Sequence, residues 1–451
     1  MDPVRLVPVL VGLPGGAFLA LAIVWLLGIR LSERLIVRLT AAVYLVGTAI
    51  GIYLGFVPGE IRTPSVDWFV VGEYKFALSL TLDRLALPFV LLTLILTGLI
   101  GAFSARYLHR DSGFLRFFAL LHLFAFGALL LFTAGSLDLV IGGWELVGLT
   151  SVLLIAYFQE RVGPVENSLR VFGIYRAADI GLLVGAFALH HWMGSASFGT
   201  LFTGSWPKQS TELVGMEAVV VALLMLLAAS GKSAQGPFSG WLPRAMEGPT
   251  PSSAIFYGSI SVHAGVYLLL RMYPVLAQSG VAMVAIALTG LLTAFFGTLV
   301  GRSCADVKTS LAYSSLSQVG IIFLEIGLGF PTVALWHASG HAVVRTLQFL
   351  RAPSALHEYH QIHAAAGGHL EPTGLHFEAL VPFKARLWLY RLALDRGHLD
   401  SLLDRLFVAP LRSVGTTLAR VEGLLTQPVP KTESPSDMRV VRDPISGESD
   451  A

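Results

Sequence analysis

Cysteine occurs once in 451 residues, at Cys304, which excludes an intrachain disulfide framework and any iron–sulfur or metal cluster built from this chain's own thiolates. Charge is scarce: 13% of residues are Asp, Glu, Lys or Arg, against roughly 25% in soluble domains. The net charge of +2 is too small to point to a nucleic-acid partner. No glycine-rich dinucleotide fingerprint is present, so the chain is expected to hold no cofactor of its own. Apolar residues fill the space these absences leave, at 54% of the chain with a mean hydropathy of +0.70.

A helix needs about 20 apolar residues to cross a bilayer. Such runs recur at 5–29, 36–57, 85–106, 114–134, 136–158, 169–191, 215–246 (interrupted), 251–273, 280–300, 309–328 and 331–350, about eleven by hydropathy. The first ends at Arg30 and lacks an Ala-x-Ala cleavage pattern, so it reads as a span and not as a signal peptide. The runs are too long for barrel strands and do not alternate, which leaves an all-α polytopic membrane protein. Arg30, Arg34, Arg38, Arg106, Arg110, Arg116, Arg161, Arg302 and Lys308 follow odd-numbered spans. The positive-inside rule then places the N-terminus outside and the C-terminal region in the cytoplasm. The long second connection reads as a small hairpin around Gly72, on the outer face.

Four parts are expected: 1–84, the first spans and the hairpin; 85–350, a membrane domain; 351–425, cytoplasmic or surface amphipathic helices; and 426–451, a disordered tail rich in Pro, Ser, Asp and Glu. In the third part, Lys384, Arg386 and Arg391 are interleaved with Phe383, Leu387, Trp388 and Leu392. That pattern suits a helix on the membrane surface or one packed on a partner.

A charge at bilayer depth costs at least ~2.5–3.5 kcal/mol, so each needs a reason. Glu145 lies mid-span. Arg176 and Asp179 stand i,i+3 on one helix face and read equally as a neutralised pair or a functional one. Lys232 falls where Gly231, Gly236 and Pro237 break the seventh span. A lysine at such a break, beside a carboxylate, is a candidate switchable proton site. His337, His341 and Arg345 follow one another at i,i+4 on the last span. Two histidines without a third ligand suit a proton relay better than zinc, with satisfied packing histidines as the alternative. His357, His360, His363 and His369 fall in an expected loop, with at most a weak metal site.

The block Gly231-Lys232-Ser233-Ala234-Gln235 through Trp241-Leu242-Pro243-Arg244-Ala245-Met246-Glu247-Gly248-Pro249-Thr250-Pro251 resembles the antiporter-like subunits of respiratory complex I. The wider family includes the large subunits of Mrp-type Na+/H+ antiporters, and the likeness is strongest to the subunit L type. Gly143-Trp144-Glu145-Leu146-Val147-Gly148-Leu149, Asp306-Val307-Lys308, Leu311 to Gly320 and His337-x-x-x-His341 extend it over about residues 80–350. The resemblance implies that Glu145 and Lys232 form a coupled pair, that Asp179 is associated with it, and that His337 and His341 relay protons along a central axis. Tyr257 stands where the family commonly has a histidine, with His263 nearby to restore a titrating group. Arg345 stands where a lysine is expected; it stays charged and is read as a fixed electrostatic element. Glu325 is an additional acid that could partner it.

The family is built from two inverted five-helix repeats. Here one repeat is expected intact and the second truncated, with residues 399–410 resembling the family's C-terminal surface region. The resemblance implies a proton-translocating membrane subunit of a complex I-like or antiporter-like assembly in a bacterial cytoplasmic membrane. Its partners would be other membrane and peripheral subunits, the lipid bilayer and protons, and any oxidoreductase activity would belong to the complex. The alternatives are the ion-coupling membrane subunit of an energy-coupled inorganic-carbon transporter, and a structural subunit with a dead channel.

Overall fold

The computed structural model describes residues 2–71, 74–304, 306–365, 380–398, 401 and 404–425. The expected disordered tail at 426–451 lies outside the described residues, as do His369 and the side chains of Tyr257, His357, His360 and His363.

Two long helices open the chain, α1 (Pro3–Leu26) and α2 (Glu33–Gly55). Asp2 caps the first, its Oδ1 accepting from the Val4 amide at 3.0 Å, with Pro3 at the first position, where its missing N–H costs nothing. Ser32 caps the second. Four short strands follow: β1 (Ile61–Arg62), β2 (Val66–Val71), β3 (Tyr74–Leu78) and β4 (Thr81–Leu82). The β2–β3 pair is antiparallel from Val66↔Leu78 to Val71↔Tyr74, and β1 pairs with β4 outside it. The expected hairpin therefore forms.

The central helices are α3 (Ala86–Tyr107), α4 (Phe114–Thr133), α5 (Leu137–Ile155), α6 (Val162–Met193) and α7 (Gly215–Lys232). After two short turns of 3-10 helix and a π-helical segment, Ala254–Ser259, come α8 (His263–Arg271), α9 (Gly280–Ser303), α10 (Val307–Gly327) and α11 (Pro331–Ala365). The span expected at 251–273 is thus not one helix. It begins as a helical turn at Thr250–Ser253, with Pro251 in its first turn, widens into the π-helical segment and breaks at 260–262; there Gly258 sits so close to α11 that a Cβ would meet the Thr346 amide nitrogen at 2.6 Å. α11 continues past Leu350, where the composition change had placed a boundary. Among the described residues, eight helices are long and apolar enough to cross a membrane.

α4 and α5 form the centre of the bundle, with Phe117, Phe118, Phe124, Phe132 and Trp144 fully buried. The outer helices turn Leu19, Leu45, Phe187, Leu292 and Phe295 outward, the surface expected where the solvent is lipid. Helices close tightly where glycine permits: a Cβ on Gly320 of α10 would lie 2.6 Å from the Gly290 carbonyl of α9. Two exposed helices, α12 (Phe383–Leu394) and α13 (Ala409–Leu425), complete the described chain. α12 packs along α9, and α13 is tied to α6 through Arg412–Glu166 at 3.4 Å, with Arg170–Asp404 at 2.5 Å just before it.

Candidate functional site

The break after α7 places Lys232. Pro237 offers no amide hydrogen, and the chain turns through a left-handed Ala234 (φ 55°). Protein satisfies the backbone groups the break releases. Gly236 N donates to Thr293 Oγ1 at 3.0 Å, Gln235 Nε2 donates to Ser233 O at 3.0 Å, and Trp241 Nε1 donates to Gly231 O at 2.9 Å. Lys232, the last residue of α7, is 1% exposed.

Its ammonium enters a cage that the sequence reading did not anticipate. Nζ lies 4.3 Å from the ring centroid of Tyr175 and 4.9 Å from that of Trp144, and donates to the Trp144 carbonyl at 3.2 Å. Aromatic faces hold a cation through their quadrupoles, more strongly once water is excluded. Gly148, one turn beyond Trp144, gives the ammonium its room: a Cβ there would lie 2.8 Å from Nζ. The signal available in the sequence was Trp144 beside Glu145 and Tyr175 beside Arg176, each aromatic adjacent to a charge.

Glu145 and Lys232 do not form a direct ion pair. Arg176 stands between the carboxylates instead: one guanidinium nitrogen reaches Glu145 Oε2 at 2.5 Å and Asp179 Oδ2 at 2.7 Å. The i,i+3 pairing of Arg176 with Asp179 is therefore present, widened to a triad by α5. Asp179 also accepts from Trp144 Nε1 at 2.5 Å, so the same tryptophan touches the lysine through its ring and carbonyl and the aspartate through its indole N–H. Both Asp179 and Glu145 act electrostatically on Lys232. Asp179 is buried, whereas the Glu145 and Arg176 side chains are each 35% exposed; the triad reaches from the interior to the edge of the bundle.

A second cluster lies across α8, α10 and α11. His263 Nε2 and His341 Nδ1 are 2.9 Å apart, and Ser315 Oγ is 3.3 Å from His341 Nε2. His337 bridges Glu325 Oε1 at 2.9 Å and Gln318 Oε1 at 3.0 Å. Glu325 thus belongs to His337 and not to Arg345, because the antiparallel α10–α11 hairpin sets residues near its turn against one another. Arg345, farther along, meets Ser314 at 2.9 Å. The backbone of Tyr257 lies in the π-helical segment. The two clusters adjoin through Ser233, which follows Lys232 and donates to the Val262 carbonyl, just before His263, at 2.6 Å.

Toward the hairpin end, Arg271 grips Asp83 with two bonds, Nη1 to Oδ2 at 2.6 Å and Nη2 to Oδ1 at 3.0 Å. Asp83 lies outside the spans. Burial pushes its carboxyl up, but the Arg271 guanidinium and its hydrogen bonds outweigh burial and hold it below the usual carboxylate range.

A family model described as "NADH:quinone oxidoreductase/Mrp antiporter, TM" matches residues 134–369, and one for the N-terminus of complex I chain 5 matches 68–118. The chain is 34% identical over 324 residues to NAD(P)H-quinone oxidoreductase chain 5 of Picosynechococcus sp., covering 70% of this chain and 49% of that one. It is 38% identical over 275 residues to NADH-ubiquinone oxidoreductase chain 5 of Rhizopus stolonifer, covering 61% and 41%. A chain in the solved Mrp complex of Dietzia sp. superposes with a TM-score of 0.66 at 29% identity, over 77% of this chain and 37% of that one. The chain thus spans less than half the length of these relatives.

Proposed function

This chain belongs to the NADH:quinone oxidoreductase/Mrp antiporter membrane family, and on that premise we propose that it is a proton-translocating subunit of a complex I-like or antiporter-like assembly. The observation that carries this reading is the Lys232 cage. A fully buried lysine held by two aromatic faces and one carbonyl, with its carboxylates one residue removed, has no structural need to be a lysine; an apolar residue would fill the space at less cost. Its worth lies in a proton that can be gained and lost.

The Glu145–Arg176–Asp179 triad leads from the half-exposed edge of the bundle to Trp144 and Lys232. Ser233 then adjoins the His263–His341 pair. Among the described residues the buried Ser239 hydroxyl has no hydrogen-bond partner, and the Tyr175 and Ser261 hydroxyls act on one another; water would satisfy such groups along a route of this kind. In this reading the histidines relay protons laterally, and Arg345 supplies fixed charge. The Arg-bearing connections at 27–32, 108–113 and 156–161 would face the cytoplasm of a bacterial cell, opposite the hairpin.

The test is proton uptake by native membranes containing the assembled complex. Lys232→Ala and Glu145→Gln are each expected to abolish proton-dependent function while the membrane abundance of the chain stays at the wild-type level. Wild-type transport in both variants would leave a structural subunit as the reading. Co-purification then separates the assemblies: flavin and iron–sulfur subunits for the complex I-like one, and a single zinc-binding protein for the inorganic-carbon transporter.

A further inference from the structure

Arg345 is a buried cation with too few partners. It lies one turn beyond His341 on α11 and is 7% exposed. Its Nη2 donates to Ser314 Oγ at 2.9 Å, and among the described residues this is the single hydrogen bond its guanidinium makes; Nε has none. No described carboxylate comes within ion-pair distance, and Glu325 is engaged by His337. Two other arginines of the membrane helices differ. Arg271 faces Asp83, and Arg176 faces both Glu145 and Asp179.

A guanidinium has five N–H donors in a planar fork and does not deprotonate to escape burial. The cost of enclosing it is relieved by an opposing charge. Ser314 is neutral; having accepted from Arg345, it still has its own hydroxyl proton to donate. Cation, fork and hydroxyl proton together complement a planar oxyanion, which takes two parallel N–H bonds from arginine. The near-complete enclosure of Arg345, 7% exposed, favours a small ion over a bulky one.

We propose that Arg345 and Ser314 form a binding site for a small, monovalent, planar oxyanion of the carboxylate type, taken from solution. The site borders the histidine pair, since Arg345 acts electrostatically on His341. It does not depend on the role assigned to Lys232.

The probe is formate. The purified full chain in detergent is melted, with tryptophan fluorescence as readout, in sodium formate and in sodium gluconate at equal ionic strength. Gluconate carries the same group on a body too large for the site. A ligand that binds the folded state alone raises the melting temperature saturably, so formate is expected to do so and gluconate is not. Arg345→Gln should lose the formate shift. Ser314→Ala, a mild change that keeps the arginine, should weaken the apparent affinity by about three- to tenfold. Equal shifts in the two salts, no shift in either, or a formate shift unchanged in both variants would each overturn the site. Loss of the shift when the native partners are bound would assign the anion to a partner carboxylate and overturn the solution source. Should Arg345→Gln not fold, the Ser314→Ala titration and the size discrimination decide the matter alone.

Discussion

Gly148 and Lys232 are complementary: the missing side chain of one is the space occupied by the ammonium of the other, and a Cβ would stand 2.8 Å from Nζ. The neighbour in the way is the end of a flexible side chain, so Gly148→Ala should shift the ammonium while leaving the bundle intact. The expected outcome is a fall in proton flux of roughly tenfold, about 1.4 kcal/mol at the barrier, with thermal stability within about 1 kcal/mol of wild type. Flux in membrane vesicles and melting of the purified chain read the two quantities separately.

Trp144 reaches Asp179 through Nε1 and Lys232 through its ring and carbonyl. Trp144→Phe removes the indole donor and keeps an aromatic face. Asp179 then loses one of its two direct partners, for an expected loss of about 1–3 kcal/mol. Adding Asp179→Asn should recover part of it, which a double-mutant cycle in chemical denaturant measures; strict additivity would mean the two side chains are uncoupled.

The Asp83–Arg271 pair gives a stability that depends on pH. Because the folded-state carboxyl is held below its ordinary value, the contribution is fully present above the unfolded value of about 3.9. It is lost as pH falls through the folded value. The melting temperature should therefore drop on acidification below about pH 4, and Asp83→Asn should flatten that drop. Asp83→Ala at neutral pH strands a buried guanidinium, at a cost of roughly 3–5 kcal/mol.

Gly320 meets the backbone of α9, not a side chain: its Cβ would lie 2.6 Å from the Gly290 carbonyl and 2.8 Å from the Ala294 amide. Gly320→Ala must push the α9–α10 hairpin apart, and overpacking of this kind typically costs about 1–3 kcal/mol. Since α10 carries Ser315 and Gln318, which contact the histidines of α11, a lowered melting temperature should come with weakened proton transport. Unchanged melting would show that the two helices separate freely.

Much of the architecture was legible in the residues. Long apolar runs gave the helices, and Gly231 with Pro237 gave the break at Lys232. The division of 251–273 was not legible. Its hydropathy is that of a span, and what interrupts it is the close approach of Gly258 to α11, a contact between segments far apart in the chain.

Composition and local pattern determined that this chain is helical, lies in a membrane and keeps ionisable groups there, because backbone pairing and solvation act on each segment by itself. Partnership among those groups was decided by tertiary structure alone. Arg176 between two carboxylates, Lys232 among aromatic rings, and Glu325 on His337 with Arg345 left to a serine all depend on which helix faces meet. Local sequence gives a side chain its charge; packing supplies its neighbour.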